Sequence, residues 1–351
     1  MRILYVGTLG PTDTSTHRRN ALRRLGHEVI DLDVAPYYAR GGSLVSRIRL
    51  RTLVGPTIAD FNRAVIAAAE CHRPDLVWFD KAIYVRGATV AAARALGAYT
   101  VQFNIDNPFG PRRDPGSRLF LSALPEYDLH LVQRDVNLDD YRRAGARDVR
   151  ILRTAYEPSL HFPPPDGWSD AHRPVALSFI GHPYDDRPEF LTALWKRHGL
   201  RTRVRGAALW HAALSRTGAA ELFSGGYAWG DDYRRAIWES RINLAFLTHS
   251  NRDDVAHKAF EIAACGAFLM AEDCPGHRAH FAADEEAVFF TDVDDCAAKI
   301  RRYLADEAAR NRIAAAGRAR AVASGYGNDA RLAEVLRYVE QRLKQRAPAP
   351  T

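Results

Sequence analysis

His257, Lys258 and Glu261 fall in one short window of the run Asp253 to Glu272. The run reads as a short helix, a glycine stop at Gly266 and a strand, Ala267 to Ala271, buried on both faces. A helix N-terminus carries unpaired N–H groups and a partial positive charge, which suits a phosphate. Lys258 adds a full charge there. Glu261 lies three residues on, on the same face, where it could accept hydrogen bonds from a ribose. The same two residues could equally form a surface ion pair worth about 0.2–0.5 kcal/mol. A carboxylate on a helix wedged against a buried strand, however, needs a partner or a task.

Other candidates stand where strands end. Gly7-Thr8-Leu9-Gly10 follows the first apolar strand and offers backbone N–H groups, with His17 at the entrance of the next helix. His17 could contact an acceptor or a phosphate, or simply neighbour a helix cap. Asp80-Lys81 and Asp106-Asn107-Pro108 each follow a buried strand, and the latter also fits an Asx turn before proline. Paired acids occur at Asp185-Asp186, Asp231-Asp232 and Asp253-Asp254. Adjacent acids in loops usually cap turns, so no metal requirement is expected. The glycine spacing after the first strand does not match a dinucleotide fingerprint. Asp31 and Asp33 therefore read as loop acids, and an NAD-dependent oxidoreductase is disfavoured.

The elements that position these residues alternate. Arg2–Val6, His27–Leu32, Asp75–Phe79, Tyr99–Asn104, Asp128–Val132 and Asp148–Leu152 read as strands, with a helix around His17–Leu25 and others between most of the strands. Tyr156 to Asp170 is proline-rich and aperiodic, which marks a linker. The pattern restarts at Val175–Gly181 and continues through Arg201–Arg205, Ile242–Leu247, Ala267–Ala271 and Ala287–Phe290. Repeated βα units imply parallel sheets covered on both faces. Leu332, Val335, Leu336, Val339 and Leu343 form one helical stripe that needs a surface, expected to be the first domain. The tail from Ala347 is expected to be loose. The expected fold class is α/β. Residues 1–156 would form the first domain, 157–328 the second, and 329–351 a helix returning to the first. Ligands of such sheets bind beyond the carboxyl ends of the strands, which places them in a cleft where the two domains face each other.

The chain has 351 residues, 47% of them hydrophobic and 26% charged, the profile of a globular protein. No run approaches a membrane span, and no secretory leader precedes the first strand, so a cytoplasmic location is expected. Cys71, Cys265, Cys274 and Cys296 lack zinc spacing and read as free thiols. Net charge is +7, mostly from arginine, and neither a zinc finger nor an aromatic RNA-binding signature accompanies it. No nucleic-acid partner is expected. Arg40, Arg47, Arg49 and Arg51, and separately Arg112, Arg113 and Arg118, could grip an anionic or membrane-linked acceptor, or form a solvated basic face.

The chain resembles glycosyltransferases with two Rossmann-like domains, the GT-B fold. Within them it is most similar to the spore-maturation CgeB-type branch of the retaining, glycogen-synthase-like group. The resemblance rests on Phe260 to Leu269, on Phe179-Ile180-Gly181 followed by Arg187, and on Gly276, Phe281, Glu286 to Phe290 and Tyr303-Leu304. It extends to the helix from Ile313 to Gly317 and the crossover from Tyr141 to Tyr156. The resemblance implies that Glu261 holds the nucleotide ribose. It implies that Arg187, Gly181 and either Lys258 or His257 meet the diphosphate of a nucleotide-sugar donor, with Gly7 and Gly10 adding N–H groups. Relatives of the branch often carry an arginine at His257 or Lys258. The first glutamate of the family's spaced pair falls on Asp253, a shorter acid. Asp106 matches a position near the reacting sugar. With His17, these two acids are the catalytic candidates. The implied activity is sugar transfer to a hydroxyl of a glycan, protein or small molecule, with retention, without cofactor or metal. A nucleotide-sugar epimerase and a non-catalytic nucleotide- or sugar-binding protein stand as alternatives. The nucleobase, the sugar, the acceptor and the oligomeric state carry no signal in the sequence.

Overall fold

The computed structural model describes residues 1–38, 53, 55–111 and 116–346. The chain forms two compact units, Met1–Thr154 with Asn328–Thr351, and Ala155–Gly327. Arg40, Arg47, Arg49, Arg51, Arg112, Arg113 and the tail from Ala347 lie outside the described residues. Arg118 is exposed on the helix Ser117–Ala123.

The first unit holds a six-stranded parallel sheet. Its strands are β1 (Arg2–Gly7), β2 (Glu28–Asp33), β3 (Leu76–Asp80), β4 (Tyr99–Asn104), β5 (Leu129–Val132) and β6 (Val149–Ile151), in the order β2-β1-β3-β4-β5-β6. Every residue of β3, β4 and β5 is buried, as expected of strands covered on both faces. One cover is the last helix, Asn328–Arg346. Its Leu332, Val335, Leu336 and Val339 pack with Ile3, Tyr5, Trp78 and Tyr99. Polar contacts fix its two ends: Arg24 to Asp329 at 3.0 Å near the start, and Arg346 to Asp128 at the finish.

The second unit repeats the plan with a different order. Its strands are β7 (Val175–Gly181), β8 (Arg203–Gly206), β9 (Phe223–Gly225), β10 (Ser240–Ala245), β11 (Leu269–Glu272) and β12 (Val288–Phe290), arranged β12-β11-β10-β7-β8-β9. All pairings are parallel. The strand order reverses beside β1 in the first unit and beside β7 in the second. The positions beyond the β1/β3 and β7/β10 carboxyl ends are thus the ligand-binding switch points of such sheets.

Some elements differ from expectation. Strand β9 has only one apolar residue, Phe223, so alternation could not reveal it. The helix expected at His17 begins at Thr14. The apolar run expected to extend to Leu247 leaves the sheet at Ala245. The carbonyls of Phe246 and Leu247 turn instead to the Arg187 guanidinium.

Candidate functional site

The helix His257–Ala264 is short, so its ends decide its placement. Gly266 adopts φ 62°. Gly266 N–H donates to Ala263 O at 2.9 Å and Ala267 N–H to Ile262 O at 3.2 Å, the two bonds of a Schellman stop. The entrance is held from a distance. Ala256 N–H donates to His277 Nε2 at 2.9 Å, and the other ring nitrogen of His277 faces the Glu272 carbonyl at 2.5 Å. That arrangement requires a neutral imidazole with its proton on Nδ1, and burial pushes its pKa down to about 4. A Cβ on Gly276 would stand 1.9 Å from the Asp254 carbonyl, so only glycine lets this corner close on the helix entrance.

Glu261 is buried on this helix and is the centre of a polar cluster. Tyr233 Oη donates to Oε2 at 2.5 Å, and Lys258 Nζ lies 3.7 Å from the same oxygen. Lys258 also donates to Tyr233 Oη at 3.1 Å. His257 Nε2 stands 3.3 Å from Oε1, and His161 Nε2 stands 3.7 Å from it. Burial favours the neutral acid. Electrostatic stabilisation from His257, Lys258 and the His161 ring, with the Tyr233 hydrogen bond, outweighs it and holds the carboxyl well below its usual range. Glu261 is therefore an anion whose orientation is fixed from both sides, with lone pairs to spare for a hydroxyl donor. The expected pairing with Lys258 exists, but as one contact of a buried cluster rather than as a surface ion pair.

Arg187 opens the helix Arg187–His198 and is 6% exposed. It is not a solvated loop residue. Its terminal nitrogens donate to His182 O at 3.1 Å, Leu247 O at 2.8 Å and Thr248 Oγ1 at 2.9 Å. None of these acceptors is an anion, and its Nε has no hydrogen-bond partner among the described residues. Burial lowers its pKa against the opposing charges of Asp185, Asp253 and Glu272, which act from beyond ion-pair distance. A guanidinium nonetheless stays charged. Arg187 thus spans the β7/β10 switch point as a buried cation held by neutral groups. Gly181 ends β7 beside it, and a Cβ there would meet the Phe179 ring at 2.8 Å and the Lys258 chain at 3.6 Å. Gly181, Arg187, Lys258 and Glu261 therefore occupy one continuous region, with Asp253 near enough to act on Arg187.

The candidates of the first unit are engaged differently. Leu9 N–H donates to Asp33 Oδ1 at 3.1 Å and Gly10 N–H to Asp13 Oδ2 at 3.0 Å. Contrary to expectation, the Gly7–Gly10 loop spends these N–H groups on carboxylates of its own unit. A Cβ on Gly7 would meet Asp80 Cβ at 3.1 Å, so this glycine permits close packing over Asp80. Asp80 itself is buried, not on a rim. Arg18 grips both its oxygens at 2.6 and 2.8 Å, and Tyr5 Oη reaches it at 2.5 Å. His17 is partly buried on the helix Thr14–Arg24. Asp106 forms an ion pair with Lys81 at 2.5 Å, both side chains about two-fifths exposed.

The paired acids have local work. Asp185, at φ 54°, accepts from His249 and Ser250 N–H at 2.9 and 3.3 Å. Asp231 pairs with Arg234 and Asp232 with Arg205, and Asp253 accepts from Asn251 at 3.2 Å. Among the described residues no three His, Cys, Asp or Glu side chains are grouped to hold a metal ion.

Tyr233, His161, His277 and Arg18 were not singled out from the sequence. Tyr233 carried a signal: it shares the buried face of the helix Gly230–Trp238 with Ile237, and a buried phenol needs a partner. The others are brought in by distant segments.

Residues 187–337 match a family model described as "Glycosyl transferase-like". No curated protein matches the chain. Several solved structures share its fold. Sucrose-phosphate synthase from Thermosynechococcus elongatus superposes with a TM-score of 0.70 at 13% identity, covering 98% of this chain and 100% of that one. Anabaena HepE in complex with UDP-glucose gives 0.68 at 14%, covering 96% and 100%. The E. coli structure of trehalose-6-phosphate bound with UDP-2-fluoro glucose gives 0.63 at 14%, covering 97% and 99%. The chain therefore has the GT-B glycosyltransferase fold. No described helix is long and apolar enough to cross a membrane.

Proposed function

We propose that the protein is a GT-B glycosyltransferase that moves a sugar from a nucleoside-diphosphate donor to a hydroxyl acceptor. The observation that carries this reading is Arg187, a buried cation with no anionic hydrogen-bond partner, next to Lys258 and the charged Glu261. Breaking the bond from the anomeric carbon to the diphosphate oxygen leaves growing negative charge on the diphosphate. Arg187 and Lys258 supply fixed positive charge for it, and the helix start at His257 adds its dipole. Glu261, ionised and held by Tyr233, accepts from the ribose hydroxyls. Gly181 keeps the backbone low where the phosphates pass. The Glycosyl transferase-like match across residues 187–337 supports the assignment, as do structures of the same fold holding UDP-glucose or a UDP-sugar analogue.

In this reading transfer proceeds with retention and without metal, as in the CgeB-type branch that the motifs resemble. Two cations at the leaving group support a metal-free route. Asp253 takes the place beside the donor sugar, while Asp106 and His17 are the first unit's candidates for the acceptor. The acceptor class is a glycan, protein or small molecule. Four free cysteines fit a reducing, cytoplasmic compartment. Asp253, shorter than the glutamate of the related enzymes, is the observation that favours a binding-only alternative.

Calorimetric titration of UDP, GDP, ADP, CDP and dTDP without metal tests the donor site. Binding of one diphosphate well above the rest supports the reading, and no binding to any of them refutes it. Incubation of the matching nucleotide sugars with acceptor mixtures then separates transfer from binding alone.

A further inference from the structure

The linker that opens the second unit carries a residue with no role in the reading above. His161 is 5% exposed and closes a turn begun by Glu157. His161 N–H donates to Glu157 O at 2.8 Å, and Glu157 N–H donates back to His161 Nδ1 at 3.0 Å. An imidazole nitrogen that accepts a hydrogen bond carries no proton, so the ring proton sits on Nε2. Burial lowers the pKa of this ring against the pull of Glu261, which keeps it neutral. Nε2–H faces Glu261 Oε1 at 3.7 Å. The ring also meets Tyr233 edge-on at 5.8 Å, and Tyr233 holds the other carboxylate oxygen.

The turn is anchored on both sides. Arg234, next to Tyr233, donates to Leu160 O at 3.1 Å and lies over the Phe162 ring at 3.9 Å. Trp238 Nε1–H donates to Phe162 O at 2.9 Å. The linker, the helix carrying Tyr233 and the helix carrying Glu261 thus meet at one carboxylate.

We infer that His161 is a positioning residue for the nucleotide site: its Nε2–H, fixed by the Glu157 turn, orients Glu261 toward the donor ribose. The inference rests on the donor-site reading above. His161 does not touch the ligand. Its N–H dipole stands 3.7 Å behind the oxygen that His257 also approaches, an electrostatic contact beyond hydrogen-bond length, while Tyr233 donates to the other and Lys258 lies near it. A ribose diol then meets a carboxylate whose rotation is already fixed, so ordering it on binding costs little.

Two substitutions separate the ring's two nitrogens. Asn places an acceptor where Nδ1 stands and removes the donor toward Glu261. Gln places a donor where Nε2 stands and removes the acceptor for Glu157. The readout is calorimetric affinity for the best-bound nucleoside diphosphate against its 2′,3′-dideoxy analogue. The wild type should prefer the ribose form by about tenfold or more, the scale of a charge-assisted hydrogen bond. His161→Asn should cut that preference below about threefold, and His161→Gln should keep it. The reverse order, or an unchanged preference in both variants, would overturn the inference and leave His161 as a turn residue. A wild type that binds no diphosphate would instead sink the donor-site reading and this inference with it. ¹⁵N NMR of the wild-type imidazole gives a check that needs no variant. Nε2–H at neutral pH is the expected tautomer, and Nδ1–H would contradict the inferred orientation.

Discussion

Each unit presents an arginine from the first helix after its leading strand, Arg18 after β1 and Arg187 after β7. Both are buried and both stand at the switch point of their sheet. Their surroundings differ in one respect. Arg18 grips Asp80 with two nitrogens, and Tyr5 completes the set. Burial lowers the Arg18 pKa, but Asp80 outweighs it and holds the value above that of a free arginine. Arg187 is held by carbonyls and a hydroxyl, and burial leaves its pKa lowered. One switch point is filled by its own ion pair. The other keeps a cation with no ion pair, on which Asp185, Asp253 and Glu272 act only from a distance. A buried charge without a contacting counter-ion is costly, so the second arrangement makes sense where a ligand brings a closer anion.

The sharpest way to break this contrast is to remove the internal anion. Asp80→Asn should leave Arg18 buried and unpaired and cost the first unit about 3–5 kcal/mol. Denaturant unfolding would read the loss, and a change under about 1 kcal/mol would mean that the pair is dispensable. Nucleotide affinity of the surviving folded protein should not change.

Acid should weaken both units, for a reason shared between them. His130 in the first and His277 in the second are buried neutral, each with its pKa lowered to about 4, mainly by burial. Unfolded histidine titrates near ~6.5. Above that value neither state binds the proton and the full stability is present. Between there and about 4 only the unfolded state binds it, so stability falls as pH falls. Each residue contributes about 3 kcal/mol over that window. Unfolding free energies measured from neutral pH downward should decline, and a flat profile across the window would contradict the neutral assignments.

Glu261→Ala should weaken the preferred nucleoside diphosphate by about 1.5–3 kcal/mol, the range for a hydrogen bond to a charged group. Calorimetry on the folded variant reads this, and unchanged affinity would remove Glu261 from the site. The smallest effect belongs to the exposed pair of the first unit. Lys81→Ala should alter stability by less than about 1 kcal/mol, because solvent screens the Lys81–Asp106 contact. A larger loss in unfolding experiments would show that this pair is more than a surface contact.

Much of the frame was legible from the sequence because buried parallel strands read as unbroken apolar runs. Leu76 to Phe79 announces itself in this way, Tyr99 to Asn104 reads as a strand by its alternation of Tyr99, Val101 and Phe103 with polar residues, and Gly266 marks the helix stop that positions Glu261. The helix of Leu332 and Val339 showed its stripe, and the first sheet supplies the surface for it. What the sequence concealed is the state of each charge. Asp80-Lys81 and Arg187 look alike as polar residues after a strand. Only the fold shows that Asp80 faces Arg18 while Arg187 faces carbonyls. Gly10 was expected to offer its N–H outward, and Asp13, three residues on, takes it. His161 and His277 reach the site helix from segments whose local patterns carry no trace of that contact.

In the proposed donor site Arg187 forms no internal ion pair, which leaves it to meet phosphate. The most direct measurement is calorimetric affinity of the preferred nucleoside, its monophosphate and its diphosphate for wild type and Arg187→Ala. The variant should lose about 1.5–3 kcal/mol of diphosphate affinity and leave nucleoside affinity unchanged. Equal losses for all three ligands would show that Arg187 supports the fold of the site without touching phosphate, and would contradict the claim.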